Sequence, residues 1–191
     1  SHGYPQRKTY EQKYYVNCLW LWSNTMANEK RYKGLKNYQV IDYPRFDKNY
    51  IKDVMTTTHK KNKILFISSP NIDFNQKILI LQKLKELKSL GFIITIRLHK
   101  RHENPLKDIN YEKYTDYISR NGFSISNKNL VEDILESNYV YGVPSTAIYE
   151  SHLINKNTYQ LKISNNLCMI SEVKTINVDD MKSVCSKQDK I

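Results

Sequence analysis

At 191 residues the chain is long enough for one domain of ordinary size with a real core, and it is too short for two. Its net charge of +11, from 30 Lys and Arg against 19 Asp and Glu, would suit a polyanion, an anionic membrane surface or a phosphorylated ligand. The sequence lacks an apolar run near the ~20 residues of a membrane-spanning helix, and it lacks the dense basic clusters with stacking aromatics that are typical of nucleic-acid readers. We therefore expect a soluble protein that binds no nucleic acid and carries most of its excess charge on a solvated surface.

The three cysteines, Cys18, Cys168 and Cys185, lie far apart without a Cys-x-x-Cys or Cys/His spacing. Their odd number and their positions predict neither a disulfide framework nor a metal site. A reducing cytoplasm is therefore the expected location. The first residues, Ser1-His2-Gly3, resemble the remnant of a cleaved expression tag.

The N-terminal part is rich in aromatic residues and predicts two short strands, over residues 16–22 and 38–41. Pro44 ends the second strand, because the proline fixes its own φ and forces Tyr43 into an extended conformation. Residues 56–62 are polar and lysine-rich, and we interpret them as a linker into the main domain.

From Lys63 onward, strands and helices alternate. The continuous apolar run over residues 64–67 predicts a strand buried on both faces. A helix follows and ends at Gly91, and residues 92–98 predict a second buried strand, so that residues 63–98 form a βαβ unit in a parallel sheet. The helix is indicated by aliphatic residues that recur at about three-residue spacing: Ile78, Leu81, Leu84, Leu87 and Leu90.

The same alternation continues along the chain. Asn129 is expected to cap a short helix. Beyond residue 164 the pattern weakens, although a helix is expected from Asp179. The order predicts an α/β fold, with a Rossmann-like parallel sheet flanked by helices. The remaining expected elements are a helix over 130–136, a strand over 139–142, a helix over 147–154 and strands over 158–163 and 173–178.

Ligands of open parallel sheets bind beyond the carboxyl ends of the strands, so the residues that follow each strand are the first candidates for a site. Arg97, His99, Lys100 and Arg101 follow the second buried strand. A guanidinium and an imidazole match the oxygens of a phosphate diester or pyrophosphate, so we predict that Arg97 and His99 bind phosphate. The alternative is a solvated turn, above all for Lys100 and Arg101.

A second candidate is the turn before the following helix. Ser145 and Thr146 lie at the N-cap and first turn, where exposed N–H groups and the helix dipole favour an anion; a purely structural cap is the alternative. Glu150 lies on the same helical face, four residues after Thr146. Two roles stay open for it: a hydrogen bond to a ribose or sugar hydroxyl, or an ion pair with a lysine. Ser68 and Ser69, in the loop after the first strand, are lesser candidates that face the same cleft.

The five glycines form neither a G-x-G-x-x-G nor a G-x-x-x-x-G-K-[ST] fingerprint. Their arrangement therefore disfavours nicotinamide-dependent enzymes and P-loop enzymes. The sequence also lacks a G-x-S-x-G nucleophile motif.

Three passages resemble, in the same order, motifs of the GT-B glycosyltransferases that build bacterial surface polysaccharides. Residues 38–47, YQVIDYPRFD, are similar to the v-x-G-x-P-R-x-D passage that ends the N-terminal domain of these enzymes. Arg97-Leu98-His99 followed by Glu103 resembles their HP motif, and residues 143–150, VPSTAIYE, resemble their S-S/T-x-x-x-E motif. Bacterial sialyltransferases, polysialyltransferases, Kdo transferases and the CDP-glycerol transferases of teichoic acid share this arrangement.

The chain departs from the family pattern at two places. Lys100 stands where the family has the proline of the HP motif, and Asp42-Tyr43 stands where it has glycine. The CDP-glycerol enzymes usually carry a second serine and an aspartate at the positions of Thr146 and Glu150. The resemblance therefore favours a sugar donor over an alcohol phosphate.

The resemblance implies a metal-independent, inverting transferase without a cofactor, which moves a sugar from a nucleotide sugar to a glycan or glycolipid of a bacterial capsule or lipopolysaccharide. The implied donor is CMP-linked rather than UDP-linked, and its phosphate is held by His99, Ser145 and Thr146. Residues 1–55 would comprise the tag remnant, the end of the N-terminal domain and the linker, and residues 56–191 the nucleotide-sugar-binding domain. No catalytic residue is assigned, because the base of these enzymes belongs to the N-terminal domain, so the chain alone is expected to bind nucleotide without turnover.

Two other functions stay open. A non-hydrolysing sugar-nucleotide epimerase would share the fold and a His/Ser phosphate clamp. A basic module that binds a polyanion or an anionic lipid surface would use the charge of +11 instead. A cytoplasmic location suits all of these functions. The protein could also bind peripherally to an anionic inner membrane.

Overall fold

The computed structural model describes residues 19–21, 38–41, 62–100, 103–155, 157–163 and 169–188. In the N-terminal part, β1 (Leu19–Leu21) and β2 (Tyr38–Val40) pair in parallel. Both expected strands are therefore present among the described residues. The passage over 42–47, the linker before Asn62 and the domain division at residue 55 lie outside the described residues.

The rest of the described chain alternates strands and helices around one sheet. The strands of this sheet are β3 (Lys63–Ile67), β4 (Ile93–Arg97), β5 (Ser124–Ile125), β6 (Tyr139–Gly142), β7 (Thr158–Lys162) and β8 (Lys174–Asn177). The described α-helices are α1 (Phe74–Ser89), α2 (Tyr111–Arg120), α3 (Leu130–Leu135), α4 (Thr146–Ile154) and α5 (Met181–Gln188). A 3-10 turn, Val178–Asp180, leads into α5.

All strand pairs of this sheet are parallel, in the order β5-β4-β3-β6-β7-β8. The sheet therefore starts in its middle: β3 comes first, β4 and β5 add on one side, and β6 to β8 add on the other. The direction of strand addition reverses between β3 and β6. The α/β architecture expected from the sequence, a parallel sheet with flanking helices, is confirmed.

Helices cover both faces of the sheet. Ile64 and Phe66 of β3 belong to the core under α1, α2 and α5, whereas Leu65 and Ile67 belong to the core under α3 and α4. Successive side chains of a strand point to opposite faces, so a strand covered on both sides needs apolar residues at every position. This requirement explains the continuous apolar run of β3, and the expected burial of this strand on both faces is confirmed.

Helix α1 begins at a capping box. The Asp73 side chain accepts a hydrogen bond from the Gln76 N–H at 2.8 Å, and the Gln76 side chain accepts one from the Asp73 N–H at 3.1 Å. The helix ends before Gly91, whose φ of +94° suits glycine. The three-residue spacing identified the buried Leu81, Leu84 and Leu87, but it included Leu90, which is 51% exposed, and omitted Ile80, which is fully buried. Steps of three residues lag the helical period of roughly 3.6, so a row of such steps turns away from the core.

The elements α2 and β5 were not expected from the sequence. Helix α2 buries only Tyr114 and Ile118 among its ten residues, and both residues of β5 are exposed at the edge of the sheet. The aromatic and aliphatic residues of α2 do recur at helical spacing, at Tyr111, Tyr114, Tyr117 and Ile118, and this spacing is the signal that could have predicted the helix. The two-residue strand β5 is too short to leave a pattern. The elements expected after Asn129 are confirmed to within two residues, and the Asn129 side chain caps α3 by accepting from the Glu132 N–H at 2.9 Å.

Candidate functional site

The reversal of strand order brings the carboxyl ends of β3, β4 and β6 side by side. Ile67, the last residue of β3, pairs with Arg97 at the end of β4 and with Gly142 at the end of β6. The Ser68 N–H donates to the Arg97 carbonyl oxygen at 2.9 Å, which extends this pairing by one residue. Because β3 leads to α1 on one face and β6 leads to α4 on the other, their loops diverge, and open α/β sheets bind ligands at such a point.

The last residue of β6, Gly142, lies close to the backbone of β3. A Cβ on Gly142 would lie 2.9 Å from the Ile67 carbonyl oxygen and 2.7 Å from Ile148 Cδ1, so only glycine fits without a shift. Ser145 is the N-cap of α4, and its Oγ accepts from the Ile148 N–H at 3.2 Å. The helix itself offers no acceptor for the Ser145 hydroxyl proton or for the N–H of Thr146. Both residues are half-buried at the positive end of the helix dipole, where an anion is favoured.

Arg97 already has a carboxylate partner. Its Nη1 donates to Asp133 Oδ2 at 2.6 Å and to the Lys128 carbonyl oxygen at 2.8 Å. The Asp133 side chain is 1% exposed and also accepts from the Ser126 hydroxyl, at 2.6 and 2.7 Å. Arg97 therefore anchors the connection from β5 to α3, and a phosphate would have to share its guanidinium with Asp133.

His99 lies on the loop after β4. Its backbone N–H donates to Glu103 Oε2 at 2.7 Å, and the Glu103 N–H donates to the His99 carbonyl oxygen at 2.8 Å. These two bonds tie His99 to Glu103, and the His99 side chain is exposed. Arg101 and His102 lie outside the described residues.

Glu103 belongs to a buried charged cluster that the sequence did not predict. The residue is 2% exposed, and its Oε1 lies 2.5 Å from Lys77 Nζ and accepts from the Ser68 hydroxyl at 2.6 Å. Lys77 is 4% exposed, and its Nζ also lies 3.4 Å from Asp108 Oδ2. Lys77 precedes the buried Leu81 by four residues, which is the signal that could have placed it on the inner face of α1.

The sequence candidate Ser68 faces this cluster. Its proton goes to Glu103, so the tyrosine is the donor in the 3.2 Å contact between the Ser68 and Tyr114 hydroxyls. Burial raises the pKa of Tyr114, which keeps the phenol protonated and able to donate. The Lys77 ammonium lies 5.0 Å from the centre of the Tyr114 ring. Ser68 thus ties β3 to the loop after β4, and its proton is engaged there.

The two remaining candidates, Ser69 and Glu150, are both 3% exposed. The Ser69 hydroxyl accepts from the Asn71 N–H at 3.2 Å. Glu150 lies in α4, one turn beyond Thr146, with its carboxylate inside the protein. His152, two residues after Glu150, is half-buried, and its Nδ1 is buried without a hydrogen-bond partner among the described residues.

A cleft of about 390 Å³ opens beside the start of α1, on the side of the sheet away from α4. Lys77 reaches this cleft from the cluster with Glu103, and Ile109 on its rim is 97% exposed. The described residues that line it include none of the sequence candidates: Pro70, Ile72, Asp73, Phe74, Lys77, Lys107, Asp108, Ile109 and Asn110.

The sequence matches no model of a known protein family, and no curated protein is significantly similar to it. Within the described ranges, no helix is long and apolar enough to cross a membrane. The side chains in those ranges also form no group of three or more His, Cys, Asp or Glu residues that could hold a metal ion. The candidate site therefore rests on geometry: Ser145 and Thr146 at the start of α4, with the His99 loop at the end of β4.

Proposed function

We propose that this chain is the nucleotide-sugar-binding half of a GT-B glycosyltransferase, in which a Rossmann-like sheet holds the donor at its carboxyl edge. One observation carries the proposal. Strand addition reverses between β3 and β6, so the loops of His99 and Ser145 leave the sheet on either side of β3. The passages that resemble the HP and S-S/T-x-x-x-E motifs are those same two loops.

The phosphate of the donor would lie at the start of α4. The hydroxyls of Ser145 and Thr146, the first N–H groups of the helix and the His99 imidazole are its donors in this proposal. When the sugar leaves, negative charge builds up on the nucleotide phosphate, and donors that are already in place stabilise that charge. Arg97 adds positive charge to the site through a guanidinium that Asp133 also binds.

The resemblance favours a CMP-linked sugar as donor and a glycan or glycolipid of the bacterial surface as acceptor. An inverting transferase also needs a base that deprotonates the acceptor hydroxyl. In the related enzymes that base comes from the N-terminal domain. The function that we propose for this chain is therefore donor binding, and turnover requires the second domain.

Calorimetric titration and thermal unfolding with CMP, CDP and UDP test this proposal. CMP is expected to raise the melting temperature, because a ligand that binds only the native state stabilises it by mass action. His99→Ala is expected to weaken CMP binding about tenfold, the size of effect expected for a hydrogen bond to a charged group. Lys100→Ala, at the exposed neighbouring position, is the matched control and should bind CMP like the parent.

Two results would contradict donor binding. One is a parent protein that responds to none of the three nucleotides, and the other is a His99→Ala variant that binds CMP as tightly as the parent. Binding to many polyanions with a steep salt dependence, without any response to mononucleotides, would favour the basic binding module instead.

A further inference from the structure

In the loop after β4, one residue, Glu103, binds the backbone of His99 on both sides. The Glu103 carboxylate accepts from the His99 N–H through Oε2 at 2.7 Å, while the Glu103 N–H donates to the His99 carbonyl oxygen at 2.8 Å. The backbone on both sides of the His99 side chain is therefore bonded to a single residue. These bonds fix the backbone position from which the imidazole extends.

The other carboxylate oxygen fastens this loop to the body of the protein. Glu103 Oε1 accepts from the Ser68 hydroxyl at 2.6 Å and lies 2.5 Å from Lys77 Nζ. Ser68 follows β3 and Lys77 belongs to α1, so Glu103 joins three parts of the chain. Glu103 is 2% exposed and Lys77 is 4% exposed, and contacts that are shielded from water are stronger than those of a surface ion pair.

A buried ion pair alone is weak evidence for a role in stability, because well-packed apolar residues can often replace it without loss. Apolar residues cannot, however, accept the N–H of His99. We propose that Glu103 is a positioning residue that fixes His99 for the donor phosphate, and that Lys77 holds the Glu103 carboxylate in place. This inference rests on the proposed function, since it takes His99 as a phosphate ligand.

Glu103→Gln tests the positioning role with little change of shape. The amide has one acceptor oxygen where the carboxylate has two, so it cannot serve both Lys77 and the N–H of His99. The affinity for CMP is expected to fall roughly tenfold to a hundredfold, as it does when residues that orient metal ligands are replaced. Hydrogen exchange of the His99 amide, followed by NMR, is expected to become faster in the variant.

The double variant Lys77→Met/Glu103→Leu separates positioning from folding. The double variant removes both buried charges, whereas Glu103→Gln leaves Lys77 charged. We therefore expect the double variant to lose less melting temperature, relative to the parent, than Glu103→Gln. Its affinity for CMP should nevertheless stay low, because the N–H of His99 still lacks its acceptor. Leu84→Ala is the matched control: it destabilises the same helix through a core cavity, away from the loop, and should keep the parental affinity.

The outcomes distinguish this inference from the proposed function. If CMP affinity simply follows stability across the variants, or if the His99 amide exchanges in Glu103→Gln as it does in the parent, the positioning role is wrong while the proposed function stands. If the parent protein binds none of the nucleotides, the proposed function is wrong and the inference is overturned with it.

Discussion

The Arg97 guanidinium lies 2.6 Å from the carboxylate of Asp133, a residue 36 positions further along the chain. The pair joins the end of β4 to the first turn of α3, and the Asp133 side chain is 1% exposed. The sequence suggested Arg97 only as a phosphate ligand. Its contacts show a structural residue, so replacing Arg97 is expected to change the stability of the protein whether or not it binds a ligand.

We expect Arg97→Leu to lower the free energy of unfolding by about 3 kcal/mol, because it leaves the buried Asp133 carboxylate without its cation. Urea denaturation measures this loss. The double variant Arg97→Leu/Asp133→Leu should recover part of it, and losses that simply add would contradict the pairing. Arg120→Ala is the control: it breaks an exposed pair with Asp116 and should cost about 0.5 kcal/mol or less.

Gly142→Ala is expected to destabilise the protein by about 1–3 kcal/mol, since the new methyl group would meet the Ile67 carbonyl oxygen and the Ile148 side chain. Thermal unfolding reports the loss. Adding Ile148→Val removes the Cδ1 atom that lies 2.7 Å from the new Cβ, but it leaves the contact with the backbone oxygen. The second change should therefore cost less in the Gly142→Ala background than in the parent. An alanine that is tolerated without loss would contradict this close approach.

Acid sensitivity is expected from Glu136. Hydrogen bonds from Lys128 and Lys63 hold the pKa of its carboxyl at about 2, below its ordinary value of 4.5. A carboxyl with a lowered pKa in the folded state stabilises the protein when it is ionised. This contribution is present above pH 4.5 and is lost as the pH falls from about 4.5 to 2. Across this window the melting temperature should fall less steeply for Glu136→Gln than for the parent. Equal slopes for the two proteins would show that the bonds from Lys63 and Lys128 to Glu136 do not contribute to stability.

A second pH response is expected at His152. Burial lowers the pKa of this imidazole below its ordinary value of 6.5, while Glu172 raises it and Lys174 lowers it. The folded state therefore favours the neutral ring, and stability is lost as the pH falls below 6.5. His152→Leu also removes the buried Nδ1 that has no described partner. The leucine variant should lose less stability below this pH, and an acid response identical to that of the parent would refute the role of His152.

The parts of the fold that could be predicted depend on residues close in the chain. The continuous apolar run of β3 required cover on both faces, and Asn129 and Ser145 lie at the N-caps where their side chains suggested. Helix α2 has aromatic and aliphatic residues at helical spacing, so it could have been predicted, whereas β5, with two exposed residues, could not. The candidates His99 and Ser145 could be proposed because both follow buried strands, and the ends of parallel strands meet at one edge.

The alternation of strands and helices follows from the amino-acid sequence, because burial patterns and capping residues involve positions close together in the chain. The strand order, and with it the pairing of charged groups, depends on how distant parts of the chain pack. Lys77 comes from α1 and Glu103 from the loop after β4, and they form a buried pair because these parts pack together. Arg97 meets Asp133 in the same way across β5 and α3. Such pairs depend on three-dimensional proximity, which no local pattern of residue types specifies.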